Sequence, residues 1–387
     1  MKVLKDFNFK NKRVLVRCDF NVPFNEKGDI LDLYRIKQTI PTIKYLIKNK
    51  AKIILMSHLG SPKGEKKDEL KIKLVQKELI KFLNSDVISV DDCIGKDIEK
   101  KTLRMKAGEV LLLENLRFHK EEEDNDLKFS KELAKLADIY INDAFSVCHR
   151  KHASIVGVPK YLESGIGLLL EKEIEVLSKV LENPLRPLVA IVGGAKIESK
   201  IKVIEQFLEK ADHLLIGGKI ANAILVVKGI CVGRPWPEES AVENIKDLNL
   251  TSTKLHLPID VLVSPDDIGK VYLKESAPAK ARKDEMILDI GHETVDIFSR
   301  IIKEAKMIVW SGPVGFFERA PFEKGTKKIA EAIVKNKKAF KIVGGGDTIF
   351  AISKFGLRNQ FDHVSTGGGA MLKFLSGDKL PGLEVLE

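Results

Sequence analysis

The sequence predicts an α/β protein: two Rossmann-like domains, each built on a parallel sheet, joined by a hinge helix. Three observations carry this. Short apolar runs alternate with stretches of helical spacing along the chain, the sign of βαβ units around parallel sheets. The alternation pauses once, at a long amphipathic stretch closed by prolines. A length of 387 residues is long for one domain and comfortable for two, each with its own core.

Taken in order, "RVLVR" at 13–17 reads as the first strand and "RIKQTIPTIKYLIKN" from Arg35 as the first helix. "KIILMS" at 52–57 has the unbroken apolar character of a buried strand, and "LKIKLVQKELIKFL" after it is helical. Strands follow at "VISV" (87–90), "VLLL" (110–113) and "DIYIN" (138–142). Within "GIGLLLEKEIEVLSKVLENPLRP" lies one long helix, over 168–183, ended by Asn183-Pro184 and Pro187. There the proline ring blocks continuation. Strands resume at "LVAIVGG", "HLLIGG", "KLHLPI", "MIVWSG", "FKIVGGG" and "HVSTGGG". The predicted division is a first domain over 1–167, a hinge helix over 168–183 and a second domain over 184–371. There is no internal repeat and no low-complexity tract.

Composition narrows the class. With 44% hydrophobic and 31% charged residues the chain is an ordinary folded protein. Cys18, Cys93, Cys148 and Cys231 lie far apart with no CxxC pair. That argues against a disulfide framework and a thiolate zinc site, and suits a reducing cytoplasm. The N-terminal stretch carries charges throughout, so it is not a signal peptide. No uncharged apolar run approaches the roughly 18 residues of a membrane helix. The net charge of +10 gives solubility and attracts anionic ligands. Its lysines are spread along the chain, with no RNA-binding signature, so nucleic acid is not the expected partner.

The second half ends its strands in glycine: "VGGAK", "IGGK", "VGGGDT" and "STGGGA". In an open parallel sheet, ligands sit beyond the carboxyl ends of the strands. Glycine there lets backbone approach a ligand, and the free N–H groups of a following helix bind phosphate. One such loop is an ordinary turn, but four on one edge point to a large anion, a nucleotide. There is neither a GxxxxGK[ST] loop nor a GxGxxG fingerprint. Lys196 and Lys200, four apart after a glycine pair, are expected on one helical face as phosphate ligands. Asp347 opens a helix. It reads as an N-cap or, beside phosphate, as a Mg²⁺ ligand.

The first half ends its strands in cations instead. Arg17, His58, Arg117 and Arg150 fall at or just past strand ends, and Arg35 opens a helix. Each alone would pass for a surface ion pair, but together they suit a small polyanion, because the guanidinium fork matches carboxylate and phosphate. His149 and His152 in "CHRKH" lack further ligands at a zinc spacing. One domain for a nucleotide and one for a small polyanion, with a helix as hinge, is the layout of a kinase that closes on both.

Eight motifs then become recognisable in order: "VLVRCDFNVPF", "ILMSHLG" with Pro62, "LLLENLRFHKEE", "INDAFSVCHRKHAS", "GGAKIESKI", "GPVGFFE", "GGGDT" and "HVSTGGGAMLKFL". Across nearly the whole chain the sequence resembles the 3-phosphoglycerate kinase family. The resemblance implies reversible phosphoryl transfer from 1,3-bisphosphoglycerate to ADP, giving 3-phosphoglycerate and ATP, with Mg²⁺, in a cytoplasmic monomer. It places substrate binding on Asp19, Asn21, Arg35, His58, Arg117 and Arg150, with Ser61 on the same rim. It places nucleotide binding on Lys196, Lys200, Glu318, Gly345, Gly346, Asp347 and Thr348, with the metal at Asp347. Arg35 and Lys196, helped by N–H groups of the two glycine loops at Gly346 and Gly369, are implied to stabilise the transferring group. It also implies that a tail from about 372 to 387 returns to the first domain. The chemistry agrees: an ionised carboxylate acceptor needs no general base, only positioning and neutralisation.

Three positions depart from the family pattern. Ser61 stands where an arginine is usual, so one cation is missing unless Lys63 replaces it. Ser311 stands for asparagine, and Lys219 for a third glycine, both on the nucleotide side. The expected consequence is an active enzyme with a raised KM for 3-phosphoglycerate. A kinase of another small acid, a nucleotide-binding scaffold and a Lys-rich nucleic-acid binder are the rival readings. The intact trio Arg35, Lys196 and Asp347 disfavours the scaffold.

Overall fold

The computed structural model describes residues 1–25, 28–230 and 233–387; Cys231 lies outside them. The chain forms two compact units, Met1–Glu175 with Lys379–Glu387, and Val176–Asp378.

The first unit is built on six parallel strands: β1 (Arg13–Arg17), β2 (Lys52–Met56), β3 (Val87–Ser89), β4 (Val110–Leu112), β5 (Ile139–Asn142) and β6 (Glu163–Ile166). Their spatial order is β3-β4-β2-β1-β5-β6. Helices α1 (Tyr34–Lys48), α2 (Lys73–Leu83), α3 (Lys96–Arg104), α4 (Lys120–Glu123) and α5 (Leu127–Ala134) intervene. The apolar runs are unbroken because both faces of the sheet are covered. Val14, Val16, Ile53 and Leu55 share one core with Ile36, Ile43 and Leu46 of α1, while Leu15, Ile54 and Tyr140 are fully buried as well. Strand β6 is an addition to the predicted set. Its Ser164 and Gly165 hide it from an apolar-run search, yet it pairs with β5 from end to end.

Helix α6 (Leu168–Glu182) leads from the first unit into the second. The second unit carries β7 (Leu188–Val192), α7 (Ile201–Lys210), β8 (His213–Ile216), α8 (Gly218–Val227), α9 (Glu239–Lys246) and β9 (Leu255–His256). There follow β10 (Val261–Ser264), β11 (Lys274–Ser276), β12 (Met286–Ile290), α10 (His292–Glu304), β13 (Met307–Ser311) and α11 (Lys324–Lys335). The unit closes with β14 (Phe340–Gly344), α12 (Gly346–Lys354), β15 (His363–Val364) and α13 (Gly368–Leu375). Its parallel sheet has the order β15-β14-β13-β7-β8-β9. Counted along the chain that is the doubly wound arrangement, with its switch point between β7 and β13, where such sheets bind ligands. A separate antiparallel sheet, β11-β10-β12, is a second addition to the predicted set.

The chain ends in α14 (Pro381–Glu384), whose Gly382 N–H donates to Cys148 O at 2.8 Å. A Cβ at Gly382 would meet Ile155 Cγ2 at 2.6 Å, so this end of the chain lies flush on the first unit.

Candidate functional site

In each unit, the residues singled out by sequence gather at the carboxyl edge of the parallel sheet. In the first unit, the loop after β1 brings Asp19 and Asn21 to Arg35 on the first turn of α1. Arg35 Nη1 lies 3.0 Å from Asp19 Oδ2 and donates to Asn21 O at 3.0 Å. Asp19 is almost fully buried, with Oδ1 accepting Asn21 N–H at 3.0 Å and Oδ2 accepting the Ser146 hydroxyl. Ser146 was not foreseen, since nothing local marks it. Asn21 Oδ1 accepts the N–H of Gly60 at 2.9 Å, which ties the loop after β2 to the loop after β1.

That loop also carries His58, Ser61 and Lys63. Arg117, after β4, locks it from the other side. Its Nη1 donates to Gly60 O at 2.8 Å, and its backbone O accepts Gly64 N–H at 3.1 Å. Arg117 Nε faces Glu123 Oε1 at 3.3 Å. Its Nη2 is buried without a hydrogen bond, and an unpaired buried donor is costly unless a ligand satisfies it. Burial lowers the Arg117 pKa, Glu123 raises it, and Arg150 and Arg17 lower it again. His58 is buried and held well below the ordinary imidazole range by desolvation first, then by Arg17, Arg117, Arg35 and Arg150. The charges of four guanidinium groups thus act on one imidazole. Ser61, Lys63 and Arg150 are exposed.

Arg17 corrects the expectation that it stands on the rim. It is fully buried, and its Nε donates to Ser154 Oγ at 2.9 Å. Its Nη1 donates to Cys18 O, and its Nη2 meets His58 Nδ1 at 3.2 Å. All three nitrogens are engaged by the protein, because the last residue of β1 turns its side chain into the layer beneath the edge.

In the second unit, the glycine breaks converge on the switch point. Gly193 N–H donates to Ser311 O at 3.0 Å, Gly194 N–H to Pro313 O at 2.7 Å, and Gly218 N–H to Val314 O at 2.8 Å. Gly312 N–H donates to Thr348 Oγ1 at 2.7 Å. The segment after β13 is therefore stitched to the loops after β7 and β8 and to the start of α12. Phe316 N–H donates to Leu288 O at 2.7 Å, and the Thr326 hydroxyl accepts N–H from Val314 and Gly315 at 3.2 Å each. Asp289, on β12, accepts Gly325 N–H at 2.7 Å and Ile290 N–H at 2.9 Å. Burial pushes its carboxyl up to about 8. Asp289 and Thr326 were missed; a lone charge inside the apolar run "MILDI" was the available signal. Glu318, later in the same segment, is exposed.

The two triple-glycine breaks are neighbouring helix starts, as expected. Gly345 is the N-cap of α12, with φ +94°, a conformation open to glycine at no steric cost. A Cβ at Gly368 would come within 3.6 Å of Gly345 Cα. Gly346, Asp347 and Gly369 are exposed and Thr348 is buried. The capping position of α12 belongs to Gly345, and Asp347 lies in the first turn of the helix. The Ser311 hydroxyl is buried without a partner, 3.4 Å from where a Gly345 Cβ would lie. Lys219 is exposed on the first turn of α8.

The pair Lys196 and Lys200 differs from its expected form. A 3₁₀ turn, Glu198–Lys200, precedes α7, so the two do not share a helical face. Lys196 is exposed in the loop, while Lys200 is buried with its ammonium donating to Gly193 O and, at 3.1 Å, to Ser311 O. Burial lowers the Lys200 pKa to about 8, against the pull of Asp347. The groups of three described side chains close enough to share an ion are Asp92, Cys93 and His119, and Asp260, Glu275 and His292. Asp347 stands apart from both, which suits a metal carried in on phosphate oxygens and touched by one carboxylate.

Comparison with known proteins agrees with this layout. The family model described as phosphoglycerate kinase matches residues 4–378. A phosphoglycerate kinase of Dictyoglomus turgidum is 46% identical over 391 residues, covering 99% of this chain and 98% of the relative. One from Finegoldia magna is 47% identical over 392 residues, covering 100% and 99%. The solved phosphoglycerate kinase of Coxiella burnetii superposes with a TM-score of 0.87 at 37% identity, over 100% of this chain and 98% of the other. That of Pyrococcus horikoshii gives 0.86 at 35%, with the same coverage.

Proposed function

Because the chain belongs to the phosphoglycerate kinase family, and so transfers a phosphoryl group reversibly between 1,3-bisphosphoglycerate and ADP, we propose that its first unit binds the phosphoglycerate and its second the nucleotide. Asp19, Asn21, Arg35, His58, Arg117 and Arg150 are the acid-side ligands, with Ser61 on their rim. Lys196, Lys200, Glu318, Gly345, Gly346, Asp347 and Thr348 are the nucleotide-side ligands. The observation that carries the acid side is the combined positive field of Arg35, Arg117 and Arg150 at His58, with Arg117 Nη2 left unpaired. The nucleotide side rests on the adjacent helix starts at Gly346 and Gly368, whose N–H groups suit phosphate.

Mg²⁺ would arrive with the nucleotide and meet Asp347, neutralising charge between the phosphates. The residues of the chain do the rest. Asp19 and Asn21 aim the Arg35 guanidinium, Lys196 brings a mobile charge, and the N–H groups at Gly346 and Gly369 receive the oxygens of the planar phosphoryl group. Transfer is direct and in line, with closure of the two domains bringing donor and acceptor together, as positioning and electrostatics are the terms that such a reaction needs.

The same reading makes the chain a cytoplasmic monomer without a nucleic-acid partner. Three buried free thiols, Cys18, Cys93 and Cys148, suit a reducing compartment. Among the described residues, no helix is long and apolar enough to cross a membrane. A test is steady-state turnover of ATP with 3-phosphoglycerate and Mg²⁺ on the wild type, Lys196→Ala and Ser61→Arg. Loss of kcat in Lys196→Ala and a lower KM for 3-phosphoglycerate in Ser61→Arg are expected. Unchanged turnover in Lys196→Ala would sink the residue assignment.

A further inference from the structure

Behind the acid-side residues runs a buried chain of hydrogen bonds that reaches none of the proposed substrate ligands except His58. Glu122, on α4, is fully buried. Its Oε2 accepts Ser154 N–H at 2.9 Å and its Oε1 accepts the Ser154 hydroxyl at 2.6 Å. Ser154 Oγ in turn accepts Arg17 Nε–H at 2.9 Å, and Arg17 Nη2 meets His58 Nδ1 at 3.2 Å. Tyr140 completes the enclosure by donating its hydroxyl to Ser154 O at 2.8 Å.

The direction of every link is fixed by what the groups are able to do. A carboxylate only accepts, and a serine hydroxyl has one proton, which goes to Glu122. Its lone pair then takes the proton of Arg17. A guanidinium only donates and stays charged in proteins. His58 Nδ1 is therefore the acceptor, and the ring proton resides on Nε2. A doubly protonated ring would set N–H against N–H.

We infer that Glu122 and Ser154 are positioning residues of the phosphoglycerate site, which act through Arg17 to hold His58 as the neutral Nε2–H tautomer, so that His58 serves as an oriented hydrogen-bond donor and not as a further cation. The inference rests on the reading of His58 as an acid-side ligand. The surroundings agree: Arg17, Arg35, Arg117 and Arg150 all disfavour the doubly protonated, cationic ring. The nearby carboxylates are committed elsewhere, Asp19 to Arg35, Glu123 to Arg117 and Glu122 to Ser154. A neutral donor between fixed guanidinium groups lets the site take a trianionic phosphoglycerate without adding repulsion among its own cations.

The test is nitrogen-15 NMR of the histidine side chains in the full chain, wild type and Ser154→Ala, between pH 5.5 and 8, with His58→Gln used to assign the signal. In the wild type, His58 should show one unprotonated Nδ1 and one protonated Nε2 throughout. In Ser154→Ala, the ring should titrate or populate both tautomers, and KM for 3-phosphoglycerate should rise about tenfold, the loss of one charge-assisted hydrogen bond, with KM for ATP unmoved. A wild-type His58 protonated on Nδ1 would overturn the inference, whether or not the variant folds. So would a Ser154→Ala protein with the wild-type tautomer and KM. Addition of 3-phosphoglycerate separates the two readings: an Nε2–H signal that fails to move on saturation rejects the acid-side assignment, while the tautomer itself is measured without substrate.

Discussion

Replacing Lys200 by methionine removes a buried ammonium whose environment works against its charge. Burial lowers its pKa from 10.5 to about 8, a drop worth about 3 kcal/mol against the protonated form at neutral pH. For a base depressed on folding, the unfolded chain holds more protons between about pH 8 and 10.5. The contribution of Lys200 to stability therefore rises with pH through that window and is constant and unfavourable below it. With Lys200 a nucleotide-side ligand as proposed, a phosphate beside the ammonium would reverse the shift. At pH 8, where about half the molecules lack the proton, nucleotide binding should draw in about half a proton at Lys200, and almost none at pH 6.5. The assay is titration calorimetry of MgADP in two buffers of different ionisation enthalpy, on wild type and Lys200→Met. Proton exchange by the nucleotide itself is common to both proteins, so the difference reports Lys200. Equal uptake by both proteins at pH 8 would refute the reasoning.

Three further outcomes are expected. Asp143 is buried and its carboxyl is pushed up to about 7 while it accepts from Thr42 and from Leu170 and Leu169 N–H. A raised acid holds its proton in the folded state, so stability should fall as pH rises from about 4 to 7, and Asp143→Asn should flatten that slope in urea unfolding by up to about 4 kcal/mol. Gly315→Ala would place a Cβ 1.9 Å from Asp289 Oδ1, and overpacking of this kind costs about 1–3 kcal/mol. The displaced segment should raise KM for ATP severalfold and leave KM for 3-phosphoglycerate alone, as steady-state kinetics will tell. Asp19→Asn weakens the 3.0 Å hold on Arg35, and kcat/KM for 3-phosphoglycerate should fall roughly tenfold to a hundredfold.

The fold was legible where burial on both faces leaves a strand nothing but apolar residues, as in "VLV" of β1 or "IIL" of β2. It was not legible in β6, where Ser164 and Gly165 pair by backbone alone, nor in β11, whose "KES" is a largely exposed edge. Position at strand ends was legible from residue type: Arg35, Arg117, Arg150, the glycine breaks and Asp347 lie at the carboxyl edges. What failed was geometry set by distant partners. Lys196 and Lys200 look alike in sequence, but one 3₁₀ turn exposes the first and buries the second. Arg17 looks like its neighbours on the rim, yet Ser154 and Glu122, more than a hundred positions away, draw it inward. Contacts of that range leave no local trace.

The placement of Lys379–Glu387 in the first unit bears on how the protein is made. A ribosome releases Met1–Glu175 long before Lys379–Glu387 exist, so the first unit is completed only after the whole of Val176–Asp378 has been made. The uninterrupted segment Val176–Asp378 has all of its sequence in hand earlier. A product cut short by a premature stop just before Lys379 would keep the second unit entire and leave Cys148 and Ile155 uncovered in the first, a patch that protein quality control is well suited to detect.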